Sequence, residues 1–158
     1  MSDASGELRL LVERQELYDL ALRYARAADR RNYEAAGALF TVDGCIEGFE
    51  GEVTQSTPLY RLVGRDGIVA GLRALEQFEK TFHQVANQLV EFDGDEARGE
   101  TYCMAHHIHV VGNERWNRTM AIRYQDVFSC EEGGWLFSRR QLVIDWERDA
   151  PLAGPPPG

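Results

Sequence analysis

Apolar residues in the first half of the chain recur at helical spacings. Between residues 7 and 28 they return every three or four positions, and charged side chains occupy the remaining face. This pattern predicts one long amphipathic helix that ends near Asp29. After a polar interruption, a second short helix is expected within 32–40. A third is expected within 67–78, with Asp66 as its N-terminal cap.

The pattern changes after residue 80 to runs rich in aliphatic, aromatic and threonine residues. The strands predicted from these runs cover about 83–92, 97–111, 117–129 and 135–146. The turn signals D-G-D-E, V-G-N-E and E-E-G-G separate them, which indicates an antiparallel meander. Earlier in the chain, residues 45–50 have the pattern of a strand. The segment 51–64, which contains Pro58, is predicted to be a loop or a lid.

Length and charge narrow the class of protein. A chain of 158 residues suits a single domain, expected over 1–148, with a flexible Pro/Gly tail over 149–158. The net charge of −9 would repel nucleic acid and acidic membrane surfaces, so neither is expected as a partner. The sequence has no targeting signal and no apolar run of about 20 residues, so we expect a cytoplasmic protein. Its three cysteines are odd in number and widely spaced, which favours reduced thiols.

The order of elements suggests a curved sheet wrapped around helices. Four patterned segments occur along it: L-x-x-R-Y-A-x-A-x-D, T-x-H-x-V-x-N, C-x-A-H-H and G-G-W-x-F-x-R-R. Together they resemble the SnoaL-like family of the nuclear transport factor 2-like superfamily, over about residues 8–146. This resemblance implies an α+β fold in which a cone-shaped, curved antiparallel sheet wraps around three helices, also described as a cystatin-like α+β barrel.

The resemblance also implies a pair of interacting polar residues. In the branch that contains scytalone dehydratase, bile-acid 7-alpha-dehydratase and the dehydrochlorinase, an Asp that ends the first helix faces a His on a strand. Asp29 and His83 match these positions. A carboxylate bound to one ring nitrogen fixes the imidazole tautomer and leaves the other nitrogen free to accept a proton. From the residues alone, a structural histidine and a helix-terminal aspartate are the favoured interpretation, and the family resemblance reverses that preference.

Two further residues are candidates for proton transfer. Tyr24 lies five residues before Asp29 and could donate a proton to a departing hydroxyl, or could simply pack as a buried tyrosine. Strand alternation places His107 and His109 on one face, and the resemblance gives His107 a role in leaving-group protonation or substrate orientation. A metal site at these two histidines is the less favoured alternative, because no His-x-Glu or paired Cys motif accompanies them. We expect neither a metal nor another cofactor.

Three residues are predicted to bind substrate. Asn87 is in phase with His83 on a regular strand, so it is expected to face the same cavity. Arg140 matches an arginine that lies beside the leaving group in the dehydrochlorinase, and it could hold a developing anion. Arg139 would point the opposite way, unless a bulge exchanges the two, and a surface ion pair is the alternative role. Phe49 completes this set.

The resemblance implies a cofactor-independent lyase. The expected reaction is a dehydratase-type elimination on a small hydrophobic ring substrate such as a steroid, terpenoid or polyketide, with the Asp-His dyad as general base. One alternative is an isomerase or cyclase that uses the same dyad. Another is a non-catalytic ligand-binding protein or a small subunit like that of ring-hydroxylating dioxygenases. A homo-oligomer is expected, a trimer through the outer sheet face or alternatively a dimer.

Overall fold

Three helices, six strands and two short 3-10 helices make up residues 4–154, the part of the chain that the computed structural model describes. The helices are α1 (Ala4–Asp29), α2 (Tyr33–Gly37) and α3 (Gly64–Leu72). The strands are β1 (Phe40–Glu50), β2 (Tyr60–Val63), β3 (Lys80–Asp93), β4 (Glu96–Val111), β5 (Glu114–Glu131) and β6 (Gly134–Pro151). Within this range, no helix combines the length and the hydropathy needed to cross a membrane.

All six strands form one curved, open sheet in the order β2-β1-β6-β5-β4-β3. The predicted antiparallel meander is confirmed for β3 to β6. The expectation of a wholly antiparallel sheet is wrong for β1, which pairs in parallel with β6. The reason is the route of the chain: it crosses to the far edge of the sheet, and the meander then returns until its last strand lies beside β1. The α+β class with three helices on a curved sheet is confirmed.

The main core lies between the helices and one face of the sheet. Burial of apolar side chains there is the dominant stabilising contribution. Its members include Leu17, Leu20, Tyr24, Tyr33, Phe40, Ile68, Phe128 and Phe137. Only the second half of α1 contributes to it, because Leu8, Leu11 and Val12 in the first turns are between 51% and 64% exposed. The predicted amphipathic helix is present, but the apolar face of its first turns remains uncovered.

Two local predictions before β3 are wrong. The predicted loop within 51–64 ends in a short edge strand, β2, whose residues pair with β1. Asp66 does not cap α3, because the helix begins at Gly64, and Val63 holds the capping position without a side-chain hydrogen bond. Gly64 has a φ of +72°, a conformation that glycine adopts without steric cost. Asp66 lies in the first turn instead, where its negative charge interacts favourably with the helix dipole.

The sheet extends beyond the predicted domain boundary at residue 148. Asp149 pairs with Arg118 of β5, and β6 continues to Pro151. The first part of the predicted tail is therefore a strand end, whose backbone groups find partners on the long β5. Apolar side chains are not needed for that pairing, which is why the composition of the segment did not reveal it. Residues 155–158 lie outside the described residues.

Candidate functional site

The end of α1 is joined to β3 by a carboxylate that accepts three hydrogen bonds. The Thr81 hydroxyl donates to Oδ1 of Asp29 over 2.9 Å, and the backbone N–H of His83 donates to Oδ2 over 2.9 Å. The ring Nδ1 of His83 lies 2.7 Å from Oδ1. Because β3 is an edge strand, the N–H of His83 that points away from β4 needs a partner from outside the sheet. Asp29 supplies it.

The protonation of this pair follows from its hydrogen bonds. Burial alone would raise the pKa of Asp29, but the hydrogen bonds from His83 and Thr81 outweigh it and hold the pKa below its usual value. An ionised carboxylate only accepts hydrogen bonds, so Nδ1 of His83 carries the proton and donates. The other ring nitrogen, Nε2, points away from this contact. The side chain of His83 is only 7% exposed, so this nitrogen is held in a mostly desolvated environment.

His107 lies on the neighbouring strand β4, beside His83. The two ring centroids are 5.5 Å apart, and the ring of Phe78 lies 4.5 Å from that of His107 on another side. Burial is the main cause that lowers the pKa of His107 to about 4, and the neighbouring His83 and Arg118 lower it further. His107 is therefore neutral at pH 7. Its Nε2 is buried and has no hydrogen-bond partner among residues 4–154, so the nitrogen is available to a polar group of a ligand.

Tyr24 is on the same side of the sheet as His83 but contacts different groups. Its ring centroid lies 6.1 Å from that of Phe40 and 6.4 Å from that of Phe137, and the guanidinium of Arg140 lies 4.5 Å from its ring. Burial raises the pKa of Tyr24 well above its ordinary value, so the phenol keeps its proton across the neutral range. The structure thus provides a protonated hydroxyl but does not place it in contact with Asp29.

Arg140 forms a buried ion pair. Its Nε and Nη2 each donate over 2.9 Å to the two carboxylate oxygens of Asp126, and the side chains are 1% and 0% exposed. Three aromatic rings surround the guanidinium, those of Tyr24, Tyr124 and Phe137. The charge of Arg140 is therefore already balanced. A direct contact with a substrate anion would require this pair to open.

A bulge decides which of the two adjacent arginines faces the helices. Val127 of β5 pairs with Arg139, but Phe128 pairs with Phe137, so Ser138 is the extra residue. Alternation counted from the buried Phe137 would have turned Arg139 inward. The bulge turns Arg140 inward instead and leaves Arg139 exposed.

A second bulge contradicts the prediction that Asn87 faces the same side of the sheet as His83. Val85 pairs with Cys103, whereas Gln88 pairs with Thr101, so two residues of β3 stand opposite one of β4. This shift leaves Asn87 exposed and gives its inward place to Gln88. The amide Nε2 of Gln88 donates to the hydroxyl of the fully buried Thr101 over 2.9 Å.

Phe49, predicted to bind substrate, does not share a face of the sheet with the two histidines. Ile46 pairs with Arg140, which faces the helices, and the pairing then continues without a shift to Phe49, beside Val143. Residues three positions apart on a regular strand point to opposite faces. Phe49 is buried, at 3% exposure, but it lies on the face of the sheet away from His83 and His107.

Apolar side chains cover the inner sheet face between the histidines and the Arg140–Asp126 pair. They form a cluster separate from the main core: Cys103, Ala105, Met120, Ile122 and Tyr124, with the partly exposed Leu142 and Ile144 packed against them. Apolar walls with a few polar groups at the ends are typical of sites for small hydrophobic molecules.

His109 does not join His107 in a cluster of metal ligands. Its Nε2 lies 3.3 Å from a carboxylate oxygen of Asp149, at the end of β6. In the described range, no three His, Cys, Asp or Glu side chains come together in a way that could hold a metal ion.

Three residues of the site were not predicted. Thr81 has the same strand phase as His83, so the alternation that selected His83 could also have selected Thr81. Gln88 could not be found in this way, because its inward position depends on the bulge. Asp126 carried only a weak signal, an acidic residue within the mostly apolar run Y-Q-D-V-F.

The fold and the site define a SnoaL-like protein of the nuclear transport factor 2-like superfamily. The SnoaL-like domain family matches residues 9–141, and the chain belongs to this family. Comparison with the curated proteins finds no match.

Several solved structures share the fold over almost the whole chain. An NTF2-like protein with a cystatin-like fold from Novosphingobium aromaticivorans is 25% identical, with a TM-score of 0.68 and 91% of each chain covered. A protein from Novosphingobium aromaticivorans DSM 12444, provisionally assigned as a scytalone dehydratase, is 24% identical, with a TM-score of 0.74 over 90% of this chain and 91% of its own. A type 2 hexachlorocyclohexane dehydrochlorinase is 22% identical, with a TM-score of 0.75 over 96% and 99%.

Proposed function

We propose that this protein is a cofactor-independent lyase that removes water from a small hydrophobic ring compound, with His83 as the general base. The observation that carries the proposal is the contact of 2.7 Å between His83 Nδ1 and Asp29 Oδ1. It directs a basic ring nitrogen away from the carboxylate and provides a negative charge beside the ring when that nitrogen takes a proton. Elimination reactions need such a base.

The proposed step balances within the site. Nε2 of His83 takes a proton from a ring carbon next to a carbonyl, and the electron pair released forms a carbon–carbon double bond as the neighbouring C–O bond breaks. The leaving hydroxide takes a proton and departs as water. Asp29 stabilises the imidazolium while it exists. General-base catalysis of this kind contributes about 10²- to 10⁴-fold in rate, so the apolar walls must supply the remainder by holding the ring in place.

The neighbouring polar groups act as neutral donors in this proposal. With a pKa of about 4, His107 is not protonated at pH 7 and orients an oxygen of the substrate through a hydrogen bond. Tyr24 keeps its proton, because burial raises its pKa. The proton for the leaving group then comes from the imidazolium of His83 or from the phenol of Tyr24.

The comparisons support this class of reaction. A relative with the same fold is a dehydrochlorinase, and another is provisionally assigned as a dehydratase, so both are named for eliminations.

Isomerisation is the second candidate, and a specific observation favours it. Among the groups around the inner face, His83 is the one positioned both to take a proton and to return it, because the lowered pKa of His107 makes its ring a weak base and Arg140 is paired with Asp126. If no leaving group stands beside the acidified carbon, the same base returns the proton to another carbon.

Both candidates can be tested by incubating the protein in D₂O with bicyclic β-hydroxy ketones. Proton NMR would follow loss of the proton next to the carbonyl, and ultraviolet absorbance would follow the conjugated enone. A lyase yields enone, whereas an isomerase exchanges or moves the proton and keeps the hydroxyl. We expect His83→Gln and Asp29→Asn to lower the rate by about 10²-fold or more.

The matched control is His106→Gln, which replaces a histidine on the outer face of β4, bonded to Asn117 and Thr119. It should retain the wild-type rate. Equal rates in wild type and His83→Gln would refute the general-base role. Binding of the ketones without exchange or elimination in the wild type would instead indicate a ligand-binding protein.

A further inference from the structure

Positive charge is concentrated at the end of α1, although the chain is strongly acidic overall. Four of the 17 basic residues, Arg23, Arg26, Arg30 and Arg31, fall within nine positions, in a chain with 26 acidic residues. Arg31 donates to the backbone carbonyls of 78 and 79. The side chains of Arg23, Arg26 and Arg30 form neither an ion pair nor a hydrogen bond with any residue in the range 4–154.

Their spacing makes this arrangement costly. Positions 23, 26 and 30 are separated by three and four residues, so the three arginines project from one side of α1 and repel each other. The favourable effect of a cation near a helix C-terminus accounts for one basic residue in the last turn rather than for three on one stripe. The nearby acids do not relieve the repulsion, because Asp29 is bound to His83 and Thr81, and Glu79 forms two bonds to Arg115.

Arg26 and Arg30 border a cleft of about 500 Å³ that opens onto the Asp29–His83 pair. The cleft lies between α1 and the edge strand β3, which adds a third cation, Lys80. The cationic rim, defined as Arg26, Arg30 and Lys80, therefore stands at the entrance to the proposed base.

The same cleft has an apolar side. Leu22 and Phe82 line it and are 39% and 60% exposed, and Val85 lies next to them. Exposed apolar side chains beside unpaired cations fit a molecule that has an apolar body and an anionic group. Neither feature alone would define such a ligand. The combination of both features at one cleft indicates a ligand with an apolar body and an anionic group.

We propose that this cleft is an anion subsite, in which the cationic rim binds a carboxylate or phosphate of an amphiphilic substrate. The apolar part of that substrate would lie along Leu22 and Phe82 and extend toward His83. The assignment of the anion to the substrate rests on the proposed function. The subsite narrows the expected substrates from hydrophobic ring compounds in general to those that carry an acidic group.

The test measures binding without turnover. Isothermal titration calorimetry of the full chain would compare 2-naphthoate with 2-naphthamide, which has the same ring system without the charge. We expect wild type to bind naphthoate about tenfold more tightly, the order expected for two or three exposed ion pairs, and high salt to reduce that preference. The double variant Arg26→Gln/Arg30→Gln should lose it. The control Arg139→Gln/Arg148→Gln removes the same charge from two exposed, unpaired arginines of β6 and should retain it.

Each result has a definite meaning. Equal affinity of the two probes, or no binding of either, would overturn the subsite. A preference that survives Arg26→Gln/Arg30→Gln would place the anion elsewhere and would also overturn it. His83→Gln should keep the preference for naphthoate, since the cationic rim is intact, so a failure of the general base would be distinguished from a failure of the subsite.

Discussion

Protonation of His107 should make this protein sensitive to mild acid. Its pKa falls from an ordinary 6.5 in the unfolded chain to about 4 in the folded state, chiefly because the ring is buried. Between these two values the unfolded chain holds more protons on this side chain than the folded protein does. The stability contributed by keeping His107 neutral is therefore present above about pH 6.5 and is lost as the pH falls from 6.5 toward 4.

The size of the effect follows from the shift. At 1.36 kcal/mol per pKa unit, the free energy of unfolding should drop by about 2 kcal/mol between pH 7 and pH 5 through His107 alone. Two kcal/mol is a large fraction of the stability of an ordinary domain. Urea unfolding followed by circular dichroism at the two pH values measures this drop directly.

Two variants isolate the contribution of His107. His107→Gln removes the titrating group and keeps a polar side chain, so its loss of stability between pH 7 and pH 5 should be smaller than that of wild type by the same amount. His106→Gln, on the outer face, should lose as much as wild type. If His107→Gln and wild type decline in parallel, His107 is not held neutral by burial, and its role as a neutral donor in the site is refuted.

Two further predictions concern polar side chains on the inner face of the sheet. Asp126→Asn should cost about 3–5 kcal/mol of stability in urea unfolding, because it leaves the buried charge of Arg140 without its partner. The double variant Asp126→Leu/Arg140→Met should recover most of that loss. Equal stability of the two variants would contradict the buried pair. Gln88→Ala should lower the free energy of unfolding by about 1–2 kcal/mol, because it leaves the buried hydroxyl of Thr101 without its donor. Asn87→Ala should stay within about 0.5 kcal/mol of wild type. The reverse order would contradict the bulge in β3.

The large elements were predictable because their periodicity is carried by many residues. α1 and the strands β3 to β6 each contain enough alternating or helical positions to identify them, and the structure extends most of them by only a few residues. The short β2 was missed because its burial is low and its sequence has mixed polarity. The parallel pairing of β1 with β6 depends on the path of the chain, which periodicity does not contain.

The site was predictable only where strand alternation is uninterrupted. His83 and His107 lie on regular stretches of β3 and β4, and alternation places both on the inner face. A bulge inserts one residue without changing the local pattern of polarity, so nothing in the sequence marked the shift that exchanges Asn87 for Gln88. The resemblance to the SnoaL-like family supplied the pairing of His83 with Asp29, which alternation alone could not.

The hydrogen bond from the backbone of His83 to Asp29 also matters for solubility, because β3 is an edge strand of the sheet. An uncovered edge strand is a template for pairing with another chain, and proteins protect such edges by covering or bending them. Asp29 binds the free N–H of His83 and holds the end of α1 over this edge, and the bulge at 86–87 bends the strand further along. Loss of Asp29 would therefore remove the partner of the proposed base and also uncover this edge, so we expect relatives that lack a histidine at the position of His83 to keep a hydrogen-bond acceptor at the position of Asp29.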